Sequence, residues 1–226
     1  TTEIYTLSLH DALPICDPRM KYTIVCNEMK WPVDPVEIWE GGTNGLPLQN
    51  ATTTGYYLKK YVNNTISFEA GSTVTKKQHN WVLFRYGEIL LNYAEAMINA
   101  FHDPNYKDAV YNMSAREAVN QIRGRTNISL PGFPSDITEK DFVKRLKNER
   151  RVELAFEGHR FWDVRRWKEL GQTANIYGVK ITKNNEVISY EKFLLETRAV
   201  TDNMYFYPIP NTERFKNPNL GQNPGW

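Results

Sequence analysis

The chain has 226 residues, 41% of them hydrophobic and 24% charged, with a formal net charge of +2. That length can bury a core of its own, and the interspersed acids and bases exclude the one-sided basic field that nucleic-acid binding needs. No stretch approaches a membrane-spanning apolar run, and two cysteines, Cys16 and Cys26, are too few for a disulfide framework or a zinc site.

Residues 1–16 lack the basic and apolar regions of a signal peptide. Leu13-Pro14-Ile15-Cys16 has the outline of a lipoprotein cleavage site, but Pro and Ile stand where small residues are required. The segment resembles translated sequencing-adapter sequence. It is read as a non-native leader and excluded from fold reasoning, which places the N-terminal half of the natural protein, and any export signal, upstream.

Residues 17–77 read as irregular, punctuated by Pro18, Pro32, Pro35 and Pro47, with turn signals at Gly41-Gly42 and Asn44-Gly45. The β-branched and aromatic residues from Thr52 to Tyr61 predict a short strand. A helix is predicted from Asn80 to Phe101, with a narrow polar stripe at Arg85, Glu88, Asn92, Glu95 and Asn99. Almost everything else on it is apolar, so neighbours are expected on two sides. A second helix starts at Ser114, where Ser114 and Glu117 form a capping box, and ends at Gly124. The pair reads as one antiparallel hairpin of tetratricopeptide type.

Thr138 is expected to cap a third helix, with Asp141 in its first turn, running to about Glu157. A short helix from Arg160 to Leu170 follows. Residues 176–207 read as mixed, with a hairpin around Asn184-Asn185 and an extended Met204–Tyr207 run. The turn-rich tail from Pro208 to Trp226 is expected to lie over the helices. The fold class is thus mainly α: tetratricopeptide-like hairpins, an irregular loop-rich lobe and minor β structure.

Glu149, Glu153 and Glu157 recur at i, i+4 and i+8, where like charges repel. Such a row needs cations among it, and Arg150, Arg160, Arg165 and Arg166 are the expected partners. A glycosidase would need two carboxyls across an open cleft, one with a raised pKa. Crowding arginines would keep both ionised, so the row is read as a structural ion network with no catalytic residue. His159 has no second His or Cys at metal spacing, and neither a metal nor a cofactor is expected. Ser8, His10 and Asp11 fall in the leader and form no triad. Gly41-Gly42-Thr43-Asn44-Gly45 lacks the lysine and following helix of a phosphate loop.

Trp31 and Trp39 lie in loop sequence with no periodic pattern to bury them. An indole can stack on the apolar face of a sugar ring, with Asn27, Asn44, Gln49 and Asn50 nearby to meet hydroxyls. The same tryptophans can equally staple the loop to the helices, and both readings stand. Trp31, Trp39 and Asn44 are carried forward as candidate ligand residues.

Several stretches, in order, resemble the C-terminal half of SusD/RagB-like proteins. They are Asp17-Pro18-Arg19-Met20, Thr54–Tyr61, Arg85–Ala96, Val119–Arg123, Glu149–Trp167, Pro208-Ile209-Pro210 and Gln222–Trp226. The likeness covers residues 17–226. Gly87 stands where the family more often has alanine, and Trp226 where it usually ends in tyrosine. The resemblance implies a protein anchored by an N-terminal lipid on the outer face of the outer membrane, binding oligosaccharides or sometimes peptides. It further implies a SusC-like TonB-dependent transporter as partner. No motif fixes Trp31 or Trp39 as binding residues. Rival expectations are a peptide importer, a protein-binding helical scaffold and, less favoured, a glycoside hydrolase.

Overall fold

The computed structural model describes residues 17–66 and 76–226, so the expected leader lies outside the described residues. The chain divides into two compact units. The first, here the helical unit, comprises residues 17–36 and 57–157; the second, the hairpin unit, comprises 37–56 and 158–226.

The helical unit carries α1 (Met20–Thr23), β1 (Ile24–Val25), β2 (Tyr57–Leu58), α2 (Tyr86–Phe101), α3 (Ala115–Arg123) and α4 (Glu139–Glu153). β1 and β2 pair antiparallel, so the strand expected within Thr52–Tyr61 shrinks to two residues. α2 packs against both α3 and α4, which supplies the neighbours its wide apolar surface demanded. The core joins Leu91, Ala94 and Ile98 of α2 to Ala118, Val119 and Ile122 of α3 and to Phe142 and Leu146 of α4. The alanines let the α2 and α3 backbones approach closely.

Local signals set α3 at both ends. The Ser114 side chain accepts from Glu117 N–H, Glu117 reaches back to Ser114 N–H, and Gly124 closes the helix. Thr138 caps α4 by accepting from Asp141 N–H. Two boundaries depart from expectation. α2 begins at Tyr86, not Asn80, because Arg85 is extended at φ −143°. Upstream of it Trp81, Leu83 and Phe84 are 69%, 73% and 76% exposed, so little burial supports a helix there. α4 stops at Glu153, short of Glu157, and is followed by a turn in which Phe156 takes φ 62°.

The hairpin unit carries α5 (His159–Arg166), a 3-10 turn (Leu170–Thr173), β3 (Asn175–Asn184), β4 (Val187–Thr197), a second 3-10 turn (Asp202–Tyr205) and α6 (Asn211–Lys216). α5 is shorter than the expected Arg160–Leu170 helix. β3 and β4 pair antiparallel, closing at Asn184 and Val187, and Asn185 takes φ 54° in the tight turn, a conformation asparagine tolerates. Of the expected extended run Met204–Tyr207, Met204 and Tyr205 lie in the second 3-10 turn, and Phe206 is extended.

β3 is stitched to the loop of residues 37–56. Val179 N–H donates to Thr54 O (3.0 Å), and Glu40 N–H donates to Ile181 O (2.9 Å). Gly55 sits at φ +80° with Val179 O so close that a Cβ would lie 2.4 Å from it, so only glycine fits. The C-terminal tail, expected over the helices, is pinned to residues 203–209. Trp226 Nε1 donates to Asn203 O and Phe206 O, and the Gln222 amide bonds both N–H and C=O of Ile209.

Candidate functional site

The densest polar constellation lies inside the helical unit, around the glutamates of α4. Arg19 Nη1 donates to Glu149 Oε1 (2.6 Å) and Glu153 Oε2 (2.9 Å), while Asp17 grips the rest of its fork. Arg123 Nη1 meets Glu149 Oε2 at 2.6 Å, and Arg125 Nη2 meets Glu153 Oε2 at 2.8 Å. Arg85 spans both Glu153 Oε1 and the two oxygens of Glu157, and also donates to Glu153 O. Lys60 Nζ completes Glu157 at 2.6 Å. Every carboxylate oxygen of the three glutamates thus accepts at least one bond. An alanine at 87 would crowd this arrangement, because a Cβ there would approach Arg85 Nη1 to 2.7 Å.

Burial pushes the Glu153 carboxyl up, but bonds from Arg85 and Arg19 and the charges of Arg85 and Arg125 outweigh it, so its pKa is lowered. Glu157 is lowered likewise, burial being outweighed by Arg85 and Lys60. Burial opposes the charge on Arg19, yet its bonds to Asp17, Glu149 and Glu153 raise its pKa. The network borders a cavity of about 360 Å³ walled also by Tyr22, Tyr61 and Asn127. A glycosidase acid needs a carboxyl held protonated by a raised pKa. Glu153 and Glu157 reach the cavity wall as ionised, fully bonded groups, the opposite condition.

The network includes cations that the sequence reading did not name. The guanidinium and ammonium groups bonding the three glutamates come from Arg19, Lys60, Arg85, Arg123 and Arg125. Arg150 donates to Asn92 Oδ1 at 2.6 Å. Arg160, Arg165 and Arg166 belong to the hairpin unit, where Arg160 donates to Gln172, Arg165 stacks 3.5 Å over the Phe161 ring, and Arg166 pairs with Asp163. A signal for the missed cations was present: Arg19, Lys60, Arg85 and Arg123 each sit in one of the motif stretches. Arg125 does not. Among the described residues, no group of three or more His, Cys, Asp or Glu side chains is placed to hold a metal ion.

The candidate ligand residues separate. Trp31 lies in the helical unit, with the Lys59 ammonium 4.7 Å over its ring. Trp39 and Asn44 lie in the hairpin unit, with Lys183 4.4 Å over the Trp39 ring. Asn44 Oδ1 accepts from Glu37 N–H and Asn44 N–H returns a bond to Glu37 O, so this side chain closes its own loop. Each indole therefore already has one face engaged by a cation. The hairpin unit also displays a cluster of Phe161, Trp162 and Tyr207, with Trp162 and Tyr207 each 59% exposed.

The sequence model of the SusD family matches residues 13–226. The chain belongs to the SusD family. It is 29% identical over 163 residues to SusD-like protein P2 of Formosa agariphila, a match covering 70% of this chain and 28% of that protein. It is 37% identical over 150 residues to SusD-like protein P38 of the same organism, covering 64% and 24% respectively. A solved SusD-like protein of Bacteroides fragilis superposes with a TM-score of 0.75 at 26% identity, covering 95% of this chain and 41% of that one. The chain thus spans about a quarter of the length of the two Formosa relatives. This SusD-family chain has the mainly helical fold with small sheets that the solved relative shares.

Proposed function

We propose that this chain is the part of a SusD-type protein that supports glycan capture at the cell surface, handing oligosaccharide to a SusC-like TonB-dependent transporter. The full-length protein is a lipid-anchored, surface-exposed component of the outer membrane, and it performs no catalysis. The observation that carries this reading is the family match along residues 13–226. The bonding of Glu149, Glu153 and Glu157 supports the non-catalytic part, since no carboxyl among them is available to protonate a leaving group. No helix of the described residues is long and apolar enough to cross a membrane.

Calorimetric titration of the full-length protein against a panel of neutral and acidic polysaccharides tests the proposal. Saturable binding to at least one glycan, with no reducing ends released on long incubation, is the expected result. Binding to peptides with none to glycans would turn the assignment to a peptide importer, and released reducing ends would turn it to a hydrolase.

A further inference from the structure

The cavity of about 360 Å³ in the helical unit is lined by four cations, Arg19, Lys60, Arg85 and Arg125, and by two carboxylates, Glu153 and Glu157. The charged acceptors there are engaged. Glu153 takes bonds from Arg19, Arg85 and Arg125, and Glu157 from Arg85 and Lys60. The charged donors are not all engaged. Arg125 gives Nε to Ile122 O and Nη2 to Glu153 Oε2, while its Nη1 bonds no protein group among the described residues. Lys60 Nζ carries three N–H donors and bonds two acceptors, Ala155 O and Glu157 Oε1, with the Tyr61 ring 5.7 Å away. The charges are unequal too. Arg19, Lys60, Arg85, Arg123 and Arg125 stand against Asp17, Glu149, Glu153 and Glu157, so the ion network holds one cation more than it has carboxylates.

We infer that this cavity binds one carboxylate group, carried by a molecule of about single-ring size. A carboxylate presents only acceptors, which is what unspent guanidinium and ammonium N–H groups require. Its single charge matches the excess of the network. A neutral hydroxyl would answer the donors more weakly and leave the charge uncompensated. The Arg125 side chain is 39% exposed, so the cation with an unspent nitrogen is one that a ligand can reach from solvent. The volume lies at the low end of the roughly 300–1,000 Å³ typical of small-molecule pockets, which suits a single small molecule and not a polymer. The inference does not rest on the glycan-capture reading, because a uronate sugar and the terminus of a peptide carry the same group.

The test is saturation-transfer NMR on the 226-residue chain with two pairs of probes, each pair differing in charge. D-glucuronate is set against D-glucose, and N-acetylglycine against N-acetylglycinamide. At least one carboxylate is expected to give a saturable signal that its uncharged counterpart lacks. Glucuronate alone identifies a uronate as the occupant, N-acetylglycine alone a peptide terminus, and both together the carboxylate by itself; each of these supports the inference. Arg125→Gln should abolish the signal. Asn127→Asp adds a negative charge at an exposed lining residue whose side chain bonds nothing among the described residues, and should weaken carboxylate binding about tenfold. It lies outside the ion network, so it keeps the test decisive should Arg125→Gln fail to fold. Silence from both carboxylates, an equal signal from the uncharged counterparts, or unchanged binding in folded Asn127→Asp overturns the inference.

Discussion

The two units hold themselves together by different physics. In the helical unit, Glu149 and Glu153 keep side chains only 3% exposed and pair with arginines from distant segments. In the hairpin unit the Lys180–Glu40 and Arg198–Glu196 pairs are half in water, and cohesion comes from strand pairing, edge stitching and lysines laid over rings. Exposed pairs contribute about 0–1 kcal/mol. Breaking a buried pair by deleting one partner costs about 3–5 kcal/mol, because the other charges stay behind without compensation. The contrast teaches how differently solvent treats the two sets of charges: the glutamates of α4 are bonded away from water, while the Lys180–Glu40 pair beside β3 stands in it.

The largest expected effect follows from Glu153→Gln. Replacing one oxygen by an amide donor sets it against arginine N–H groups, and stability should fall by about 3–5 kcal/mol. Urea unfolding followed by circular dichroism would read this, and an unshifted midpoint would dissolve the contrast between the units. The next effect is acid sensitivity. Asp17, Glu153 and Glu157 are all held below the ordinary carboxylate range. Their stabilisation is complete above the unfolded-state value near 4.3 and drains away as pH falls through the lowered folded values. Melting temperature should therefore drop steeply below about pH 4.3, and less steeply in Glu153→Gln; equal slopes for the two proteins would contradict the network. The smallest effect concerns Lys183→Ala in the hairpin unit. Loss of the contact with Trp39 should cost about 0.5–1 kcal/mol and alter indole fluorescence. A loss as large as that of Glu153→Gln would erase the distinction.

What could be read from the sequence was what is decided locally. The Ser114–Glu117 box, Gly124, the Thr138 cap and the Asn184-Asn185 turn each act within a few residues, and each appears where expected. The failures are long-range. The apolar run from Trp81 to Phe84 has helical character by composition, yet the helix waits for Arg85, whose extended backbone aims its side chain at glutamates 68 and 72 residues away. The glutamate row correctly demanded cations, but nearness in sequence pointed to Arg150, Arg160, Arg165 and Arg166. The fold also delivers Arg19, from 134 residues upstream of Glu153. Neither reading of Trp39, platform or loop staple, included Lys183, because nothing in its sequence neighbourhood announces it.

Arg85 shows how tightly such a unit constrains change. Three separate nitrogens of one planar fork reach two carboxylates and the last carbonyl of α4. Lysine would keep the charge at position 85, but a single ammonium cannot address four acceptor oxygens spread over that span. The same group that sets where α2 starts also receives the chain where α4 stops, so the lengths of both helices are tuned to the reach of one guanidinium. Inserting or deleting a residue in either helix would rotate its end away from that fork by about 100°. Tolerated length variation should therefore be confined to the connections on either side of α3.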